Sequence, residues 1–187
     1  EQNMARTWDV TVAELRELAL SIADLKGRPI AVGVTGQGDG CWLIDADGRP
    51  VHDGWLWLDA RAADEARELA ASPEIDTIYR TTGSGVNVCQ MRTHLTWMKH
   101  NTPDLLARAS TALHCKDWLY FNLTGERATD PTEGVFTFGD FRTRNYSATV
   151  SEALGLSDFR HLLPPIVDGA FTTHNLSDDA AEATGLP

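Results

Sequence analysis

The sequence predicts a mixed α/β fold with a helix-rich second half. Three observations support this prediction: apolar residues recur at helical spacing near the start, short apolar runs flank glycine-rich turns in the middle, and helix start and stop signals are frequent after residue 90. No internal repeat or flexible linker divides the chain. We therefore expect one domain, or part of one.

The first predicted elements are a helix and a strand. Thr11-Val-Ala-Glu14 is a capping box, and the residues that follow it at helical spacing are apolar: Val12, Leu15, Leu18, Ile22 and Leu25. Gly27 and Pro29 are stop signals for this helix. The run from Ile30 to Thr35 then predicts a strand.

A β-hairpin and a series of helices are predicted next. The apolar run from Cys41 to Ile44 leads into an Asp-Gly turn ending at Gly48, and a second run covers Gly54 to Leu58. Asp130 to Glu133 is interpreted as a turn followed by a helix cap, with a structural role. The predicted later helices are Ala60 to Ala71, Arg92 to His100, Pro103 to Ala109, Lys116 to Leu123, Ser147 to Leu154 and Ser177 to Thr184.

Composition excludes several classes of protein. The 187 residues include 16 Lys and Arg against 27 Asp and Glu, so the net charge is −11 and no basic patch is left for nucleic acid or anionic lipid. The apolar runs are far shorter than the roughly 20 residues of a membrane helix, and acidic residues interrupt any signal-peptide core. Cys41, Cys89 and Cys115 fit neither a disulfide framework nor a zinc site. A cytoplasmic protein without nucleic-acid or membrane partners is predicted.

The glycine-rich segment from Gly33 to Gly40 is the first candidate for chemistry. Its G-x-G-x-G spacing, followed by an apolar run, does not match a dinucleotide fingerprint, which opens a helix. The segment offers instead the Gln37 amide and the Asp39 carboxylate, with glycines that allow a ligand to approach. A carboxylate can accept hydrogen bonds from two neighbouring hydroxyls, as polyol recognition requires. A plain loop with Asp39 in water is the alternative, and both interpretations stay open.

Two tryptophans, Trp55 and Trp57, lie on one face of the next extended segment. An indole can stack on the C–H face of a sugar, so Trp57 is a candidate for ligand contact and equally for the core. For Asp59 and Arg61 we favour a structural role, in which Asp59 caps the next helix and pairs with Arg61. A structural role is also favoured for His94.

Five stretches in order resemble the FGGY carbohydrate kinases, relatives of glycerol kinase and xylulokinase. They are Val32 to Gly40, Leu56 to Arg61, Thr82 to Trp97, Lys116 to Gly125 and Ala128 to Pro131. The resemblance implies an actin-like ATPase, or ribonuclease H-like, fold. It further implies that residues 1–187 are part of the N-terminal, sugar-binding domain, with a mixed sheet and a helix-rich second half.

The resemblance also implies a function for the intact protein. It implies ATP- and Mg²⁺-dependent phosphorylation of a hydroxyl of a small sugar alcohol or sugar, with erythritol or another four- or five-carbon polyol favoured. Glycerol and xylulose are the alternative substrates, and a non-catalytic sugar-binding or regulatory module is the alternative of another class. Because family members are often dimers, a homodimer is a further expectation.

Several parts of such a kinase are expected to lie outside this chain. The first strands with the phosphate loop would precede residue 1, and the general base and the nucleotide lobe would follow Pro187. We therefore expect no catalytic residue and no metal ligand within residues 1–187. The chain is expected to be inactive by itself.

The resemblance assigns the substrate-binding role to Gly38, Asp39, Trp57 and Cys89, and we add Gln37 because its amide lies in the same loop. Gly38-Asp39 occupies the place of a residue pair that contacts substrate hydroxyls, and Trp57 matches a tryptophan that lines the glycerol site. Cys89 falls near a position where glycerol kinases use Tyr. Gly38 replaces the long Arg side chain of glycerol kinases, which frees space for at least one more carbon.

Overall fold

The structure is a computed structural model that describes residues 1–25, 28 and 31–187. Its strands are β1 (Trp42–Ile44), β2 (Thr111–Leu113), β3 (Gly139–Asp140) and β4 (Asn145–Tyr146), and a 3₁₀ helix covers Ser157–Leu162. Its helices are α1 (Met4–Ser21), α2 (Ala63–Ala70), α3 (Ile75–Thr82), α4 (Met91–Asn101), α5 (Pro103–Arg108), α6 (Cys115–Thr124), α7 (Pro131–Phe138), α8 (Ala148–Ala153) and α9 (Asp178–Thr184).

The strands form two small antiparallel ladders. β1 pairs with β2, with Trp42 opposite Leu113, and β3 pairs with β4. An isolated parallel bridge joins Thr129 to Ile166. The helix-rich mixed α/β class is therefore confirmed. The chain enters β1 directly after the glycine-rich segment, where a dinucleotide-binding loop would open a helix.

The β1 strand is buried on both faces because helices cover it from two sides. Trp42 and Ile44 pack with Met4 of α1 and with the N-terminal half of α6. Leu43 faces a larger cluster, built on α3, α4, α7, α8 and the 3₁₀ helix. Side chains alternate between the two faces of a strand, so three consecutive apolar residues serve two cores.

The start of the chain departs from the prediction. α1 begins at Met4, not at Thr11, because the Asn3 side chain accepts a hydrogen bond from the Arg6 amide at 2.8 Å and caps the helix earlier. The Thr11 hydroxyl instead donates to the Thr7 carbonyl one turn back. α1 ends at Ser21.

The strand predicted from Ile30 to Thr35 is not found where the chain is described. Residues 31–35 form no ladder with any described residue, and Val32 is 47% exposed. Gly27 and Pro29, the predicted helix stops, lie outside the described residues, as does Ile30. An apolar run becomes a strand only where another strand is available to receive its hydrogen bonds.

The predicted hairpin is confirmed in its first half. The Asp45 amide donates to the Arg49 carbonyl at 2.9 Å, and Gly48 adopts φ 82°, which closes the reversal after β1. In the described chain the second run, Gly54 to Leu58, contributes two isolated bridges and no strand: Gly54 pairs with Gln2, and Trp55 with Cys41.

The predicted later helices are confirmed, most of them to within one residue at each end. α2 begins three residues later than predicted, and its cap residue Ala62 makes no side-chain hydrogen bond, so Asp59 is not the helix cap. α3 and α7 were not predicted as helices. In α7 Asp130 is the N-cap and Pro131 the first residue, so the interpretation as a turn and cap captured only its start.

Cys41, Cys89 and Cys115 are free thiols and buried. In the described part of the chain no helix combines the length and the apolar character needed to cross a bilayer.

Candidate functional site

The loop before β1 turns the Asp39 side chain toward the protein. Asp39 and Gly40 both have positive φ, 58° and 77°, and the Gly40 amide donates to the Cys89 carbonyl at 2.8 Å. A Cβ on Gly40 would collide with the Trp55 carbonyl oxygen, so glycine is required for this close approach. A left-handed conformation at a non-glycine residue is uncommon, and here it sets the direction of a carboxylate.

Asp39 and Cys89, two of the residues assigned by resemblance, lie together. The Cys89 thiol donates to Asp39 Oδ2 at 3.4 Å, and Asp39 Oδ1 is shielded from solvent without a hydrogen-bond partner in the described residues. Burial and the Asp39 charge raise the pKa of Cys89 to about 11, so the thiol keeps its hydrogen at neutral pH. Asp39 therefore holds one acceptor oxygen without a partner.

The other two residues of the loop contact different elements. Gln37 is half-buried and lies beside the Cys115 thiol at the start of α6. Gly38 is exposed, and a Cβ placed on it would lie 2.8 Å from Glu133 Oε1 of α7. The loop thus runs across the N-termini of two helices.

The two tryptophans have different environments. Trp55 is buried, packs edge-on against His94 and Trp97, and carries the Arg61 guanidinium 3.9 Å above its ring. Trp57 is 53% exposed. No hydrogen bond or ring contact among the described residues joins Trp57 to Asp39, so the structure does not bring these two assigned residues into contact.

Asp59 pairs with Arg61 as favoured above, although it does not cap α2, and His94 has the structural role favoured for it. The Asp59 carboxylate pairs with Arg61 at 2.8 Å, and Arg61 in turn stacks on Trp55. His94 is completely buried, and desolvation lowers its pKa to about 4, so the ring is neutral at physiological pH.

Arg92, a residue that sequence reasoning missed, contacts the segment from Ser84 to Gln90. It is completely buried at the start of α4 and donates to Gln90 Oε1 at 2.8 Å and Ser84 Oγ at 2.9 Å. Burial lowers its pKa to about 10, and the opposing effect comes from the charge of Asp39. Arg92 remains a cation at neutral pH, and the charge of Asp39 favours that form. Its position among the apolar residues of α4 was the only signal in the sequence.

A second group of charges at the N-termini of α6 and α7 was also missed. His114 Nδ1 lies 3.0 Å from Asp117 Oδ2, and His114 Nε2 lies 3.5 Å from Glu133 Oε2. Lys116 Nζ lies 2.7 Å from Asp117 Oδ1 and 3.1 Å from Asp130 Oδ2, so it bridges the two carboxylates. The capping box between His114 and Asp117 explains this placement, because it is the local signal that starts α6.

These contacts shift the pKa values of the two buried acids in opposite directions. Burial by itself would raise the pKa of Asp117, but the hydrogen bond from His114 and the charge of Lys116 bring it below its ordinary value. Burial raises the pKa of Glu133, and the nearby charge of Asp39 acts in the same direction.

A separate cavity of about 300 Å³ lies between the segment 32–34, the N-terminal half of α6 and the loop 167–174. None of the residues assigned to substrate by resemblance lines it. The cavity and the Asp39 loop are therefore two different features.

The described residues hold no candidate Mg²⁺ site. They contain no group of three His, Cys, Asp or Glu side chains that could hold a metal ion. The carboxylates of Asp117 and Asp130, which face the cavity, are already paired with Lys116. No step involving ATP or Mg²⁺ is assigned to this chain.

A family profile described as "FGGY family of carbohydrate kinases, N-terminal domain" matches residues 1–187. The chain belongs to this family, and the resemblance of the five ordered stretches is confirmed.

Individual relatives agree with the family. The chain is 52% identical over 185 residues to an erythritol kinase of Brucella abortus, covering 99% of this chain and 36% of that protein. It is 30% identical to an autoinducer-2 kinase of Salmonella typhimurium, with 100% and 35% covered. A xylulose kinase structure from Rhodospirillum rubrum superposes with a TM-score of 0.91 at 26% identity, covering 100% of this chain and 38% of that one. The actin-like kinase fold is thereby confirmed, and the chain spans just over a third of these relatives.

Proposed function

We propose that the intact protein transfers a phosphoryl group from ATP to a hydroxyl of a short sugar alcohol, with erythritol the first candidate. The observation that carries this proposal is the inward-facing Asp39 carboxylate, which has one oxygen without a partner among the described residues. The 52% identity to a protein named erythritol kinase supports the choice of polyol. Glycerol and xylulose are the alternative substrates.

In this proposal residues 1–187 bind and orient the polyol. Asp39 accepts hydrogen bonds from neighbouring hydroxyls, and the Cys89 thiol fixes the carboxylate from behind. Gly38 presents only its backbone at the loop, Gln37 borders it, and the exposed Trp57 indole offers a face for C–H groups. Positioning a hydroxyl in this way is a large part of catalysis in phosphoryl transfer.

The remaining parts of the reaction are proposed to lie outside this chain. ATP would supply the phosphoryl group and Mg²⁺ would neutralise its charge, both held by residues beyond 1–187 together with the general base. We also propose that strands preceding residue 1 pair with the segment 31–35 and fill the cavity beside it, which is supported by the exposure of Val32 and the absence of a ladder from residues 31–35 to the described chain. The cytoplasmic location and the homodimer remain predictions of the same kind.

The first test measures ADP release by the intact protein with ATP and a panel of erythritol, xylitol, glycerol and xylulose. We expect the highest kcat/KM with erythritol. If the protein binds a member of the panel but turns over none of them, the alternative of a non-catalytic sugar-binding module is favoured. The isolated 187-residue chain is expected to give no turnover, and a measurable rate from it would contradict the proposed division of parts.

The second test is Asp39→Ala in the intact protein, with erythritol binding measured by calorimetry. The dissociation constant should rise more than about tenfold, because a hydrogen bond to a charged group contributes about 1.5 to 3 kcal/mol. Asp104→Ala, an exposed acid on α5, is the control and should bind like the wild type. An unchanged constant for Asp39→Ala would remove Asp39 from the site.

A further inference from the structure

Glu133 is a buried acid whose carboxyl group faces the candidate site. Its side chain is nine-tenths buried, and neither of its oxygens accepts a hydrogen bond from a described residue. Oε1 lies 2.8 Å from the position that a Cβ on Gly38 would occupy, whereas Cδ lies at 3.8 Å. The carboxyl group therefore points at the exposed backbone of Gly38, next to Asp39.

The position of Glu133 is fixed from two sides. Asp130 caps α7 and accepts a hydrogen bond from the Glu133 amide at 3.1 Å, so the backbone of this helical turn is held. His114 Nε2 lies 3.5 Å from Glu133 Oε2, and the other nitrogen of the ring faces Asp117. His114 is buried and its Nε2 has no hydrogen-bond partner in the described chain, so it stands behind the carboxyl group and leaves Oε1 to the Gly38 side.

We propose that Glu133 is a second substrate-binding acid, which acts with Asp39 to hold neighbouring hydroxyls of the polyol. This inference rests on the proposed function. Buried polar groups in proteins are nearly always hydrogen-bonded, yet Asp39 Oδ1 is shielded from solvent without a partner among the described residues. The Glu133 side chain is nine-tenths buried and accepts no hydrogen bond from those residues either. A polyol supplies the missing partners.

The chemistry of a hydroxyl group suits this pair of acids. A hydroxyl donates one hydrogen and accepts others, so it can bridge an ionised Asp39 and either form of Glu133. Burial and the Asp39 charge raise the pKa of Glu133, which makes its protonated, hydrogen-donating form more accessible. In this arrangement glycine at position 38 is a condition of substrate binding, since any side chain there meets the Glu133 carboxyl group.

The inference is tested in the intact protein with erythritol as the probe and calorimetry as the readout. Glu133→Ala should raise the dissociation constant at least about tenfold. Gly38→Ala should weaken binding as well, because the new methyl group displaces the carboxyl group while Glu133 itself is kept. Glu152→Ala, an exposed acid on α8, is the matched control and should leave binding unchanged.

A double variant shows whether the two positions act through one contact. If Gly38→Ala acts by displacing Glu133, adding it to Glu133→Ala should cost little more, whereas independent effects would multiply. Multiplied effects would overturn the inference. If Glu133→Ala does not fold, as judged by circular dichroism, Gly38→Ala alone decides, and wild-type affinity for it overturns the inference.

The failure of this inference differs from the failure of the proposed function. Weakened binding in Asp39→Ala together with normal binding in Glu133→Ala overturns the role of Glu133 and leaves the polyol site in place. No binding or turnover of any polyol by the wild-type protein overturns both.

Discussion

Replacing Arg92 by Met removes a completely buried guanidinium from the start of α4. The hydrogen bonds to Gln90 and Ser84, at 2.8 and 2.9 Å, contribute about 3 to 6 kcal/mol together, because the donor is charged. Loss of the contact to the Thr137 carbonyl, at 3.5 Å, leaves a buried acceptor without a partner among the described residues, at a cost of about 1 to 3 kcal/mol. Removing the charge recovers part of this loss, because burying a charged guanidinium is itself unfavourable. Burial lowers the pKa of Arg92 to about 10, and this shift corresponds to about 3 kcal/mol.

The net expectation for Arg92→Met is a loss of about 3 kcal/mol in the free energy of unfolding. The assay is urea unfolding of the 187-residue chain followed by tryptophan fluorescence, where the midpoint should fall by roughly 1 to 2 M. Arg92→Lys keeps the charge without the planar fork of donors, so its free energy of unfolding should lie between those of the wild type and Arg92→Met.

The matched control for this prediction is Arg49→Met. Arg49 pairs with Asp47 in solvent, and its side chain is 76% exposed, so the variant should stay within about 0.5 kcal/mol of the wild type. The reasoning is refuted if Arg92→Met costs less than about 1 kcal/mol, because a loss that small would mean that water replaces the guanidinium without penalty.

Two further variants test the core around β1. Burial lowers the pKa of His94 from 6.5 to about 4, so between these values the unfolded chain binds a proton that the folded chain does not. The free energy of unfolding should therefore fall by about 3 kcal/mol between about pH 7 and pH 4. His94→Gln should remove this part of the decline, whereas the exposed control His100→Gln should retain it. Gly54→Ala places a methyl group 2.5 Å from the buried Trp42 ring and should lower the free energy of unfolding by about 1 to 3 kcal/mol. Gly169→Ala is the control and should be neutral, because no described atom beyond its chain neighbours lies within 4 Å of the new methyl group. Equal stability of the two glycine variants would contradict the close packing at Gly54.

The helices of the second half could be predicted from the sequence because their boundaries are set locally. Ser147 and Ser177 cap α8 and α9 through their own side chains, and Gly125 and Gly185 end α6 and α9 with positive φ. Each of these signals acts within a few residues of the helix end. The family could be recognised for a similar reason, because the five stretches keep their order along the chain.

The predicted strand at Ile30 to Thr35 and the start of α1 could not be settled in this way. A strand depends on hydrogen bonds from a neighbour that is distant in sequence, and residues 31–35 have none among the described residues. At the start of α1 two candidate caps were available, and the pattern favoured Thr11 although Asn3 makes the capping contact.

The same distinction between local signals and contacts distant in sequence applies to the candidate site. Its loop was predicted because Gly38, Asp39 and Gly40 are adjacent in sequence and chemically conspicuous, and the resemblance added Cys89, whose thiol does contact Asp39. Glu133 could not be predicted as a neighbour of Gly38. Its pattern indicated a helix cap, and a carboxylate at such a position is ordinarily solvated.

The sequence by itself determined the class of the fold, most of the helix ends, the family and the acidic loop, because these depend on neighbouring residues or on ordered motifs. Only the tertiary structure decided which buried polar side chains meet: Arg92 with Ser84, and His114 with Glu133. The physical reason is that burial turns a charged side chain from a solvated surface group into one that must find a partner, and burial is a property of the packed chain.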